Sequence, residues 1–155
     1  MSTMILQLIT AFIGSLGYSL LFRLRRQLLL PASMGGLLCW GMYLIVTHFF
    51  DGVFVPCLLA SAFAALYAEI LARIKKAPAT LFLVPAVVPA IPGSTLYYTM
   101  SNVVQNDWDI AKKYGYLTIE YALAIACGIS LIWAFSVMLQ NISKNNKNEE
   151  KIRNY

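Results

Sequence analysis

Residues 77–100 form an uncharged run that is long enough to cross a bilayer but is interrupted near its middle by Pro85, Pro89, Pro92 and Gly93. Proline removes an amide donor and clashes with the preceding turn, so an unbroken helix would lose hydrogen bonds where no water can replace them. Interrupted helices occur in hydrocarbon where neighbouring helices cover the break or where it lines a cavity. They also build the substrate sites of many secondary transporters. The run therefore favours a transport protein.

Composition and segment lengths predict an all-α integral membrane protein. The chain has 155 residues, of which 59% are hydrophobic and 12% charged, and this leaves too little polar surface for a soluble domain. Five segments reach the roughly 20 apolar residues that a spanning helix needs. They lie near residues 4–22, 28–49, 53–72, 78–100 and 117–139. We therefore predict a five-span domain over residues 1–140, with the fourth span broken, and a disordered cytoplasmic polar tail over residues 141–155.

The positions of the basic residues predict the topology. Ten of the twelve Lys and Arg residues follow the first, third and fifth segments: Arg23, Arg25, Arg26, Arg73, Lys75, Lys76, Lys144, Lys147, Lys151 and Arg153. By the positive-inside rule, the N-terminus is outside and the C-terminus is cytoplasmic. If residues 78–100 re-entered without crossing, Lys112 and Lys113 would become internal and the internal count would fall to eight. Full crossing is therefore favoured over re-entry, but re-entry stays open.

The first apolar segment and the polar loops fit the same picture. The first segment has no basic region before it and no small-residue cleavage pattern after it, so we expect it to be retained rather than removed as a signal peptide. Residues 101–116 are predicted to form an outside loop. Within it, Trp108, Tyr114 and Tyr116 are typical of an aromatic belt at the headgroup level.

Metal, nucleic-acid and enzymatic functions lack support in the sequence. The three cysteines, Cys39, Cys57 and Cys127, lie inside apolar segments without a CxxC pair or a histidine at metal-ligand spacing. The basic residues form short clusters between apolar runs and no continuous face for nucleic acid. No HExxH or GxSxG motif is present. We expect no metal, no cofactor and no enzymatic activity.

Two stripes of small residues at i+4 spacing predict close helix packing. One comprises Ala60, Ala64, Ala68 and Ala72, and the other comprises Thr118, Ala122, Ala126, Ser130 and Ala134. Such stripes let helix backbones approach closely in lipid. The sequence leaves open whether each stripe packs within this chain or against another subunit.

Glu69 is the carboxylate of greatest interest because it lies inside the third segment, near its cytoplasmic end. Ionisable groups within membranes commonly mark proton or substrate pathways, so Glu69 is our candidate for proton coupling. The alternative is a local i,i+4 pair with Arg73 that has no role in transport.

The broken run, APATLFLVPAVVPAIPGSTLYYTM, resembles the signature of the threonine/serine exporter family. The resemblance to this family covers nearly the whole chain. The most specific part is Pro85, Pro89 and then Pro92-Gly93-Ser94, followed by Tyr97 or Tyr98. The resemblance is to the C-terminal membrane half of the full-length exporters. It implies a bacterial inner-membrane protein that exports threonine and serine together with a larger membrane subunit, which carries the family's N-terminal domain.

The resemblance leaves several properties open. Related split pairs are associated with the export of dicarboxylates such as succinate, and a non-transporting assembly or regulatory subunit is a further alternative. The coupling ion, the stoichiometry and any higher oligomer are not specified.

The break suggests how a substrate could bind. If one half-helix ends around Val88 and another begins after Gly93, Ser94 becomes an N-cap beside free amides and a positive dipole end, which would stabilise a carboxylate. The predicted substrate-binding residues are Pro89, Pro92, Gly93, Ser94, Thr95, Tyr97 and Tyr98. The alternative is that the prolines only kink a packed helix and that the tyrosines belong to the interfacial belt.

Overall fold

The computed structural model describes the backbone of residues 2–153 and the side chains of residues 3–138. Its helices are α1 (Ser2–Leu21), α2 (Arg26–Phe49), α3 (Phe54–Lys75), α4 (Thr80–Val87), α5 (Gly93–Val104) and α6 (Trp108–Arg153), with a 3₁₀ turn at Val88–Ala90. Four helices are long and apolar enough to span a membrane, and α4 with α5 forms a fifth candidate span, bent by 54°. The all-α membrane fold with a broken fourth span is confirmed.

Glycines of α2 bring that helix into close contact with both α1 and α4. A Cβ atom added at Gly36 would overlap the Ser15 side chain of α1. One added at Gly35 would lie 2.8 Å from the Ala86 Cβ atom of α4. Because hydrophobic burial cannot drive association in lipid, such close approach supplies the van der Waals contact that holds these helices together.

The stripe of small residues on α3 lies in the chain's own core. Ala60, Ala64 and Ala68 are fully buried, and Ala72 packs at the edge of the same cluster. The cluster also contains Phe82 of α4, among other residues. For this stripe, the alternative of packing against another subunit is therefore wrong, because α2, α4 and α6 already pack around α3.

Helices α3 and α6 pack side by side and run in the same direction. Cys57, near the start of α3, has its Sγ atom 3.9 Å from the Tyr121 carbonyl oxygen. Further along both helices, the Arg73 guanidinium donates to the Ser136 Oγ atom at 3.2 Å. Between these points, a Cβ atom at Gly128 would lie 2.6 Å from the Leu58 carbonyl oxygen. The segment from α4 to α5 thus returns the chain to the level at which α3 begins.

The prediction that residues 101–116 form a loop is wrong, while the outside location of this stretch stays a prediction. Helix α5 continues to Val104 and α6 already begins at Trp108, which leaves a tight turn at residues 105–107. In this turn, Asn106 adopts the left-handed conformation with φ 59°, which asparagine tolerates. The Ile110 amide donates to the Asp107 side chain at 3.4 Å. Hydropathy identifies only the apolar part of each helix, so the polar end of α5 and the polar start of α6 are assigned to a loop.

The disordered tail predicted from residue 141 is also wrong, because α6 continues to Arg153. No glycine or proline follows Gly128, and extending a formed helix costs less than nucleating a new one. The division into a membrane domain ending at residue 140 and a polar tail stays a prediction.

Candidate functional site

The break in the fourth span is produced by the prolines and the residues that precede them. Helix α4 ends at Val87 and the 3₁₀ turn at Ala90. Ile91 is extended, with φ −64° and ψ 127°. A residue before proline is sterically disfavoured in the helical region, so Pro92 explains why Ile91 does not continue the helical turns before it.

Helix α5 begins at Gly93 with Pro92 as its N-cap, so the prediction that Ser94 caps this helix is wrong. The Pro92 carbonyl oxygen accepts hydrogen bonds from the Leu96 amide at 3.1 Å and from the Thr95 hydroxyl at 3.0 Å. The observed cap, Pro92, therefore lies two positions before the predicted cap, Ser94. Within the described chain, the amides of Ser94 and Thr95 have no backbone acceptor, as expected for the first turn of a helix.

Most of the predicted site residues on α5 are exposed, and Thr95 is the exception. Ser94 is exposed, and Tyr97 and Tyr98 are 67% and 48% exposed. Thr95 is the buried residue of this helix. A Cβ atom at Gly93 would meet no atom within 4 Å. The backbone at the break is therefore open.

The two halves of the broken span have different surroundings. Helix α4 packs against α1, α2 and α3, whereas α5 packs mainly on α6. The predicted residues are therefore divided between the two surroundings: Pro89 lies on the α4 side of the break, and residues 93–98 lie on α5.

Pro89 lines a small cavity between the break and helices α1 and α2. The cavity has a volume of about 210 Å³ and is also lined by Gln7, Thr10, Ala11 and Trp40. The Trp40 Nε1 atom is buried and has no hydrogen-bond partner among the described residues. Sequence reasoning missed these residues, although Gln7 and Thr10, one turn apart within an apolar span, were a usable signal.

Comparison with known families decides the classification. The model of a family described as "Threonine/Serine exporter, ThrE" matches residues 7–135. The chain belongs to the threonine/serine exporter family. Neither the curated proteins nor the solved structures contain a match. Because this is a family of transporters, membership supports a membrane transport role and fits the prediction that the chain is not an enzyme.

In this exporter-family chain, Glu69 forms the local i,i+4 pair with Arg73 that is the alternative to a role in proton coupling. The Glu69 Oε2 atom is 3.5 Å from the Arg73 Nη2 atom, and the Glu69 side chain is 21% exposed. Both residues line a cavity of about 190 Å³ between α3 and α6, separate from the break. This contact neither requires nor excludes proton coupling.

The stripe of small residues on α6 faces away from the rest of the chain. Four of its members are exposed, Ala122, Ala126, Ser130 and Ala134, and Thr118 is half-buried. Ala124 and Gly128 on the neighbouring face are buried against α3. In contrast with the α3 stripe, this one is available for contact with lipid or another protein.

The described residues contain no cluster suited to a metal ion. Among them, no group of three or more His, Cys, Asp or Glu side chains comes together. Cys39 and Cys57 are buried between helices, and Cys127 is exposed on α6.

Proposed function

We propose that this chain is one subunit of a two-component exporter of small carboxylate-bearing metabolites in the bacterial inner membrane, with threonine and serine as the substrates. The observation that carries this proposal is the family match over residues 7–135, in a chain whose fourth span is broken at the family's signature. The larger second subunit and the substrates are parts of the proposal.

The start of α5 is the proposed binding point for the substrate carboxylate. The free amides of Ser94 and Thr95 and the positive end of the helix dipole both favour an anion. Gly93 leaves the backbone open to a ligand. Amino acids and dicarboxylates both carry a carboxylate, so this role applies to either substrate class. Pro89, Pro92, Tyr97 and Tyr98 would form the walls of the same path.

The cavity beside Pro89 supplies further polar groups next to this path. Trp40 lines the cavity, and its buried N–H has no partner among the described residues, so in this proposal it donates to an acceptor such as a carboxylate or hydroxyl oxygen. Gln7 contributes an amide that can both donate and accept. A substrate with a carboxylate and a hydroxyl group, such as threonine or serine, offers partners for all of these groups.

The second subunit would complete the site from the open side. Helix α5 packs mainly on α6, and the stripe of small residues on α6 is exposed. Backbones can approach closely at such a stripe, which makes it a suitable surface for a helix of the larger partner.

The proposal is tested by efflux from cells preloaded with labelled threonine, serine or succinate. Cells would contain both subunits, either subunit alone, or both with a substitution, at equal membrane abundance. Gly93→Leu should abolish export by filling the open space at the backbone. Ser94→Ala should reduce export by up to roughly tenfold, because it removes the side-chain hydroxyl group and with it one hydrogen bond to the substrate. Gly17→Leu is the matched control, because Gly17 also has no atom within 4 Å of an added Cβ but lies in α1, outside the site.

The outcomes separate the alternatives. Faster efflux of succinate than of threonine would favour a dicarboxylate exporter. Efflux by the larger subunit alone would indicate an assembly or regulatory role for this chain. Wild-type efflux from Gly93→Leu would contradict the proposed site, and no efflux of any substrate with both subunits present would contradict the proposed function.

A further inference from the structure

A basic cavity lies between the turn that joins α1 to α2 and the turn that joins α3 to α4. Its volume is about 470 Å³, and its lining includes four cationic side chains, those of Arg23, Arg25, Lys75 and Lys76. Among the residues whose side chains are described, no carboxylate lines it. All four cations are exposed, and the ion pair found within the described side chains, Glu69 with Arg73, involves none of them. The cavity therefore concentrates positive charge that the described side chains, residues 3–138, do not neutralise.

Both turns place a cation where backbone geometry favours glycine. Arg23 and Lys76 each have φ 51°, in the left-handed region that non-glycine residues rarely occupy. Each turn closes with the hydrogen bond of a Schellman motif, from Leu24 to Ser19 and from Ala77 to Ala72, each at 3.1 Å.

The turn after α5 provides a comparison within the same chain. It closes in the same way, from the Asp107 amide to the Asn102 carbonyl oxygen at 2.9 Å, but its left-handed residue is Asn106. Asparagine tolerates this conformation better than arginine or lysine does. Arg23 and Lys76 thus occupy a backbone conformation that favours glycine or asparagine. Unfavourable conformations of this kind cluster at functional sites.

An apolar cavity continues from the basic one along α4. Its volume is about 200 Å³, and it shares Phe22, Leu24 and Leu81 with the basic cavity. From there it extends past Val84 to Pro85, between α1 and α4. The two cavities together present a cationic end and an apolar groove.

We propose that this pair of cavities binds one anionic phospholipid. The phosphate group lies among Arg23, Arg25, Lys75 and Lys76, and an acyl chain lies in the apolar groove along α4. A soluble anion would satisfy the cations but leave the groove without an apolar ligand. A zwitterionic lipid would bring an ammonium group close to four cations. The basic turns are also on the side predicted to be cytoplasmic, where the leaflet surface is negative.

Native mass spectrometry of the purified chain can test the headgroup, with dioleoyl phosphatidylglycerol and dioleoyl phosphatidylcholine as probes. The wild type should retain phosphatidylglycerol in preference. The double variant Arg23→Gly with Lys76→Gly should bind it about 25-fold more weakly, from about fivefold for each cation near an anionic surface. Glycine suits both turns, so the thermal unfolding temperature should stay the same or rise. The matched control, Lys112→Gln with Lys113→Gln, should keep wild-type binding.

A second variant tests the groove. Val84→Trp should fill it and weaken the binding of the dioleoyl lipid, while dihexanoyl phosphatidylglycerol should bind this variant and the wild type alike. Unchanged lipid binding by the glycine double variant, or equal retention of phosphatidylcholine by the wild type, would overturn the proposal. Displacement of phosphatidylglycerol by inorganic phosphate or succinate at equal concentration would do the same, since it would assign the cavity to a soluble anion.

Discussion

Glu69 and Arg73 connect a titratable group to the contact between α3 and α6, because Arg73 also donates to Ser136. Glu69→Gln removes the titratable proton but keeps a side chain of similar size. If Glu69 couples export to protons, efflux by this variant should no longer respond to an imposed pH gradient. The measurement is labelled-threonine efflux from vesicles that contain both subunits, with and without the gradient.

The matched control is Arg73→Gln, which removes the cation and keeps the carboxylate. This variant should retain the response to the gradient. Pairs of this i,i+4 kind contribute about 0.3–0.5 kcal/mol to stability, so unfolding would not explain a lost response. If both variants lower efflux equally and both still respond to the gradient, the pair has only a structural role.

At the break, the sequence allowed the interruption to be predicted but not its detailed geometry. The prolines exclude a continuous helix, and α4 ends at Val87, close to the expected end at Val88. The steric effect of Pro92 then keeps Ile91 extended. The assignment of the cap depended on which carbonyl group the new helix uses first. The Pro92 carbonyl oxygen takes that place by accepting from Leu96, and this could not be read from residue types.

The two stripes show the same limit at the scale of whole helices. Both have i+4 spacing, yet Ala64 and Ala68 are buried in the core while Ala126 and Ser130 are exposed. Hydropathy placed the spans because each is apolar on all sides. For the same reason it could not show which face of α6 packs on α3, since lipid and protein interior select similar residues.

This difference between the stripes gives a prediction for the paired variants. Ala126→Leu with Ser130→Leu should weaken association with the larger subunit by holding the helices apart, and should leave the chain folded. Ala64→Leu with Ala68→Leu should instead destabilise the chain itself, because each added side chain overpacks the core at a cost of at least about 1–3 kcal/mol. Copurification with the tagged subunit and thermal unfolding of each variant measure the two effects. Undiminished copurification of the α6 variant would remove the proposed interface.

For the molecule as a whole, the parallel packing of α3 and α6 bears on the number of crossings. If α3 and α6 both span the bilayer in the same direction, the chain between them must cross in the other direction. The contacts of Cys57 with Tyr121 and of Arg73 with Ser136 give that common direction. A re-entrant loop that returned to its starting side would make the two helices antiparallel. The structure thus adds a geometric argument for full crossing of the fourth segment. The counts of basic residues alone favoured this crossing only modestly.

We therefore expect five crossings, with the N-terminus outside and the C-terminus in the cytoplasm. In a version that lacks Cys39, Cys57 and Cys127, single cysteines can be introduced at Thr3, Gln27, Asp51, Asn106 and Asn148. A membrane-impermeant maleimide added to intact cells should label positions 3, 51 and 106. Positions 27 and 148 should be labelled only after the membrane is permeabilised. Labelling of position 148 in intact cells, with position 27 still protected, would mean that α4 and α5 do not cross, and that α3 and α6 cannot both span the bilayer in the same direction.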